Sequence, residues 1–295
     1  MVSRVKLRAE VDDRLGGRWT SLRGGRREWL WSRPDPARAG AVPGDGFVDA
    51  GGLEECLPTV RGTPDHGDVW SRPWRRTGDG ESTVAGDDFA LRRRIAHHDG
   101  AVTADYLLRA RPGYRFVWAA HALLDLSPRA RLLAPDGTPT RLYPDVLPQA
   151  AGPGTAGAGP APAEPEARPT GPEPWVTGAW PDPAGIPLDR FGPDDGSAVG
   201  AVLLDCPEVR VADGLDTLTL RLDCPGQPRS TALWRNLGGW PAGTPYRSTG
   251  VEPMLGAVFD LATAGPDDAA VVPPTGVLGW RLTISAHRTT GGDHP

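Results

Sequence analysis

The chain has 295 residues, with 32 basic and 37 acidic residues for a formal charge of −5, and 39 Gly with 33 Pro. That Gly and Pro load argues against long helices and for short strands joined by turns. The basic residues are Arg apart from Lys6 and are interspersed with acids, which argues against a nucleic-acid partner. The absence of any membrane-length or signal-like apolar run argues against a membrane segment or export.

Three cysteines, Cys56, Cys206 and Cys224, have no metal-ligand spacing, and their odd number does not suggest a disulfide framework. A reducing, cytoplasmic setting is expected.

In chain order, Val5, Leu7, Ala9 and Val11 alternate with polar residues, the period of a half-buried strand. A Gly-Gly turn follows, and "RWTSLRGGRREWLW" reads as a hairpin about Gly24-Gly25, with Trp29 and Trp31 on one face of its second strand. Phe89, Leu91, Arg93 and Ile95 share one parity, as do Val102, Ala104, Tyr106 and Leu108, with "HHDG" between them. These segments make an antiparallel meander. In "RFVWAAHALLDL", residues 115–126, Phe116, Trp118, Leu124 and Leu126 lie on one face, and His121 lies on the other with Val117, Ala119, Leu123 and Asp125.

Residues 148–174 contain no large apolar side chain and read as a disordered or polyproline-like loop insertion. Strand patterns then resume in "AVGAVLLD", "TLTLRLD" and "VLGWRLTISA". The expectation is an all-β fold, one large antiparallel β-sandwich over 1–295 with few short helices.

Against this background stand "DHGDVWSRPW" at 65–74, which crowds charge and tryptophan into ten residues, His121 in its strand, and Glu252 in "GVEPMLG". Imidazole and a partly buried carboxylate are the groups that transfer protons near neutral pH. Each also has an ordinary structural reading: a strand histidine, a turn, a solvated glutamate.

The order of these segments resembles the aldose 1-epimerase, or galactose mutarotase-like, family almost end to end. "GGLEECLPTV…DHGDVWSRPW" is similar to its Gly-Gly, Pro and His-Gly-x-x-x-x-Arg-x-Trp region. "HALLDLSP" resembles the strand of its central histidine, and "LWRNLGGWP…GVEPMLG" the late strand ending in its catalytic glutamate. The resemblance implies a mutarotase-type supersandwich and a cofactor-independent isomerase, with no metal, acting on a monosaccharide or sugar phosphate as a monomer or homodimer.

In that reading Glu252 is general base and His121 general acid. His66 and Arg72 bind sugar hydroxyls. Trp70, Trp74 and Trp234 either wall the sugar or belong to the core, and Asp189 or Asp205 supplies a further substrate carboxylate. The family's His-x-aromatic-aromatic-Asn reads here His121-Ala122-Leu123-Leu124-Asp125. That departure leaves a second class of function open, a non-catalytic carbohydrate-binding or regulatory protein on the same fold.

Overall fold

The computed structural model describes residues 1–143 and 175–289. The insertion expected at 148–174 lies outside the described residues. Among the described residues, helix is confined to short 3₁₀ turns such as Pro36–Gly40, Val69–Ser71 and Leu261–Thr263. This is the all-β architecture that the Gly and Pro content predicts.

Two large antiparallel sheets stack on each other. Nine described strands form one, ordered Arg131–Leu133, Glu208–Asp213, Asp216–Asp223, Val277–Thr289, Ala101–Ala110, Phe89–His98, Glu81–Ala85 and Arg75–Gly78, with Val2–Val5 paired to Val277–Thr289. Ten form the other: Val176–Ala179, Pro139–Leu142, Ala198–Leu203, Arg229–Trp240, Tyr246–Leu255, Trp118–Ala122, Leu53–Cys56, Arg18–Gly24 and Leu7–Asp12, with Arg27–Glu28 paired to Arg18–Gly24. The meander closes where expected, through a tight turn at Asp99 and Gly100, both at positive φ.

The inner faces of the two sheets share a core that includes Trp19, Leu53, Trp118, Val251, Leu91, Tyr106, Leu220 and Trp280. Arg93 lies on this inner face with the apolar residues of its strand because it meets Glu55 from the other sheet. Its Nη1 donates to Glu55 at 2.8 Å, and Tyr106 Oη and Trp118 Nε1 donate to the same carboxylate at 2.8 and 2.9 Å. A buried charge is tolerated when it is paired and hydrogen-bonded in this way.

Two local expectations change. The opening hairpin is short: Arg18–Gly24 pairs with Arg27–Glu28, and Gly25 makes the turn at φ 61. The Glu28 carboxylate folds back to accept from the Leu22 and Leu30 amides, and Leu30 then bridges Leu124. Trp29 and Trp31 consequently do not share a face. Trp29 enters the core, while Trp31 stacks on Tyr246 at 5.6 Å. The segment 115–126 is likewise divided, with Arg115–Phe116 paired to Ala270–Val271 and Trp118–Ala122 in the ten-stranded sheet. Its alternation persists across the break, so His121 still faces away from the core.

Candidate active site

The site is built on the outer face of the ten-stranded sheet. Ala119 pairs with Met254 and Leu123 bridges Gly250, which sets His121 opposite Glu252 on adjacent strands. Alternate residues Trp118, Ala120, Ala122 and Val251 fill the sandwich core, so both polar side chains point outward. His121 Nε2 stands 3.6 Å from Glu252 Oε1. Gly250 makes room for this carboxylate: a Cβ there would lie 2.4 Å from Glu252 Oε1.

The polar row continues across the sheet. His121 pairs on its other side with Glu54, and the pairing of Trp19 with Leu53 puts Arg18 beside Glu54, with Arg18 Nε 3.9 Å from its carboxylate. Glu54 is bound through both oxygens by Arg38, at 3.1 Å each, and Arg38 also donates to the Leu15 and Trp70 carbonyls. Burial pushes the Glu54 carboxyl up to about 7, against the pull of Arg38 and Arg18. One arginine therefore ties the sheet to the loop that carries Trp70.

That loop delivers His66. Its amide donates to the Val60 carbonyl at 3.0 Å, and Gly67 bridges Leu57 so closely that a Cβ would lie 2.1 Å from the Leu57 carbonyl oxygen. The turn is thus fixed by a position only glycine can fill. His66 Nδ1 lies 3.1 Å from Asp65 Oδ1, and its ring centroid lies 5.1 Å from that of His121. Burial pushes the Asp65 carboxyl up, but its bond to His66 and the charges of His66 and Arg61 bring it below the usual range.

Two residues that the sequence reading did not single out complete the site. Phe47 stacks on His66 at 3.7 Å between centroids and presents an edge to both His121 and Trp70, at 5.5 and 5.0 Å. Asp49 accepts from Tyr246 Oη at 2.5 Å and from the Gly51 amide at 3.0 Å. Its charge also acts on the catalytic candidates. Burial draws the His121 imidazole below its ordinary range, while Glu252 and Asp49 pull the other way. Burial raises the Glu252 carboxyl, with His121 opposing and Asp49 adding to the rise. A buried carboxylate and imidazole at this separation titrate as a pair. They can hold one proton between them and exchange it with groups placed above both.

No family model matches the sequence, and no curated protein matches it. Solved structures do. The chain superposes on a galactose mutarotase related enzyme from Lactobacillus acidophilus with a TM-score of 0.60 at 12% identity, over 100% of each chain. It superposes on a galactose mutarotase-like protein from Lactobacillus casei ATCC 334 with a TM-score of 0.58 at 15% identity, covering 97% of this chain and 100% of that one. An Escherichia coli K12 protein provisionally described as an aldose 1-epimerase matches with a TM-score of 0.62 at 15% identity, over 98% and 100% of the two chains. The fold is galactose mutarotase-like.

On this mutarotase-like sandwich the residues singled out from sequence separate into two groups. His121, Glu252 and His66 come together, and Trp234 is half-buried on the same face, its Cβ 3.2 Å from the point where a Gly250 Cβ would stand. Trp70 is buried behind Phe47, with its Nε1 donating to the Asp65 carbonyl. Trp74 belongs to the sandwich core, with the Arg93 guanidinium 4.4 Å from its ring centroid, and so takes the core alternative.

Arg72 is paired with Asp68 and Asp87 at 3.8 and 3.7 Å. Asp189 accepts from Arg131 at 2.6 Å and lies near Arg190. The structure does not join either residue to the His121–Glu252 pair. Asp205 is an exposed residue at positive φ, 4.0 Å from Arg229. The carboxylate whose charge bears on the catalytic candidates is Asp49. In sequence Asp49 is one of many acids in Gly-rich coil; only the fold of the 41–50 segment sets it there.

Proposed function

We propose that the protein is a cofactor-independent aldose 1-epimerase that interconverts the α and β anomers of a hexose or sugar phosphate. The observation that carries this reading is the His121–Glu252 pair, 3.6 Å apart on one sheet face and shielded from bulk water. A cyclic aldose carries its hydroxyl and its ring oxygen on the same anomeric carbon, so two groups this close can address both.

Glu252 takes the proton of the anomeric hydroxyl as His121 protonates the ring oxygen. The bond from the anomeric carbon to the ring oxygen breaks, leaving a free aldehyde. Rotation about the bond to the carbonyl carbon turns its other face to the returning hydroxyl. On reclosure the roles reverse: Glu252 gives its proton back to the carbonyl oxygen, which becomes the anomeric hydroxyl, and His121 takes the proton of the attacking hydroxyl. His66 and the half-buried Trp234 supply a donor and an apolar wall for the ring.

The test is anomer exchange across free and phosphorylated aldoses, followed by polarimetry or NMR exchange. Glu252→Gln is expected to lower the rate by at least about a hundredfold, the usual contribution of a general base, with the fold intact by circular dichroism.

The run Ala122-Leu123-Leu124-Asp125 after His121, without the aromatic residues and Asn of the family pattern, favours a second reading, a sugar-binding protein without turnover. Saturable sugar binding with no acceleration of exchange by the wild-type protein would establish that reading in place of the first.

A further inference from the structure

The face that a sugar ring would use is already occupied. Phe47 and His66 are nearly parallel, 12° between planes and 3.7 Å between centroids. That is van der Waals contact, so nothing intercalates between the two rings. The same phenyl ring meets His121 edge-on.

The chain that carries it is lightly held. Residues 42–46 are exposed, and a Cβ added at Gly44 or Gly46 would meet nothing within 4 Å. The upstream end is fixed where the Ala41 amide donates to the Arg38 carbonyl. The downstream end is fixed at Asp49 by Tyr246 and the Gly51 amide. Between these points, Val42 and Asp45 close a turn on each other, and the Phe47 ring holds the segment down through its stack on His66 and its edge contacts with His121 and Trp70.

We propose that residues 42–48 form a gate over the His121–Glu252 pair, hinged at Ala41 and Asp49, and that Phe47 is its plug and the residue that decides what enters. The occupant that displaces it must offer an apolar ring face to His66 together with hydroxyls for the polar row, which is the chemistry of a monosaccharide. The identity of that occupant rests on the epimerase reading; the shielding of the two histidines does not.

Diethyl pyrocarbonate acylation of imidazoles, resolved by mass spectrometry, reads the gate without turnover. The exposed His98, with 82% of its side chain accessible, serves as reference. In the wild-type protein His66 and His121 are expected to react about tenfold or more slowly than His98. Phe47→Ala is expected to accelerate both about tenfold, corresponding to a gate closed about nine-tenths of the time. Phe47→Tyr, which keeps the ring, is expected to retain the slow rates. Unchanged His66 and His121 rates in a folded Phe47→Ala protein would overturn the gate.

Amide hydrogen exchange on the wild type gives a second readout. Residues 42–48 are expected to exchange through a local opening that urea does not accelerate. Exchange of these amides only through global unfolding would also overturn the proposal. A wild type that shields its histidines yet exchanges no anomer counts against the epimerase reading and leaves the gate standing. An active protein with unshielded histidines does the reverse.

Discussion

Glu252 and His121 are ordinary residues placed where neither can behave as it would in water. Burial disfavours the charged form of each, raising the carboxyl and lowering the imidazole. The two shifts act on pH dependence with opposite signs. Activity needs one proton on the pair, so it is lost when the carboxylate is protonated at low pH and when the imidazolium is deprotonated at high pH. Because the carboxyl lies above its ordinary value of 4.5 and the imidazole below 6.5, the kcat/KM profile for anomer exchange is expected to be a narrow bell. Its acid limb should lie above pH 4.5 and its basic limb below 6.5. A broad plateau reaching well above pH 7 would show that the pair is not the titrating group.

Both residues were legible in the sequence, His121 because alternation set it opposite the bulky apolar face and Glu252 because its segment resembles the late strand that ends in the family's glutamate. Phe47 and Asp49 were not. They lie in coil, where no periodicity tells which way a side chain points, and their roles come from contacts with His66 and Tyr246.

At the scale of elements, the site depends on strand register. One residue of slip between Trp118–Ala122 and Tyr246–Leu255 would turn one partner into the core, because side chains alternate with a period of two. Gly250 is the element-level device that lets Glu252 lie flat on the sheet. Gly250→Ala puts a methyl group where Glu252 Oε1 now approaches to 2.4 Å, so the carboxylate must turn away from His121. The expected result is a loss of about tenfold or more in kcat, the scale on which small misplacements act in catalysis, with little change in thermal stability. Wild-type kcat in a folded Gly250→Ala protein would show that the carboxylate position seen here is not the working one.

The paired strands on either side of "HHDG" were readable because Val102, Ala104, Tyr106 and Leu108 alternate without a break, and Phe89, Leu91 and Ile95 keep one parity around the single charge of Arg93. The opening hairpin forms where the Gly-Gly turn put it, but Trp29 and Trp31 part faces where Glu28 captures the amides of its neighbours, a side-chain event that strand patterns do not encode.

For the whole molecule, the outer face can serve as a site only if the inner face holds the two sheets together. The Arg93–Glu55 pair is one inter-sheet tie, with side chains 1% and 0% exposed. Removing the cation leaves a buried carboxylate with only neutral donors. Arg93→Met is therefore expected to cost about 3–5 kcal/mol in urea unfolding, through a site that does not touch His121 or Glu252. A loss below about 1 kcal/mol, the range of surface pairs, would show that the pair does not bear on the packing of the sheets.

The sequence by itself determined the class of fold, the outward face of His121 and the types of group available for proton transfer, because composition and side-chain alternation are local and survive in any one strand. The tertiary structure decided which groups meet. The cross-strand register joined His121 to Glu252 across 131 residues of chain, and loop packing set Phe47 against His66 and His121 and brought the charge of Asp49 to bear on the pair, while committing Arg72 and Asp189 to ion pairs of their own. Such meetings depend on how separate strands align and how coil packs on a sheet, and neither leaves a period in the sequence to be read.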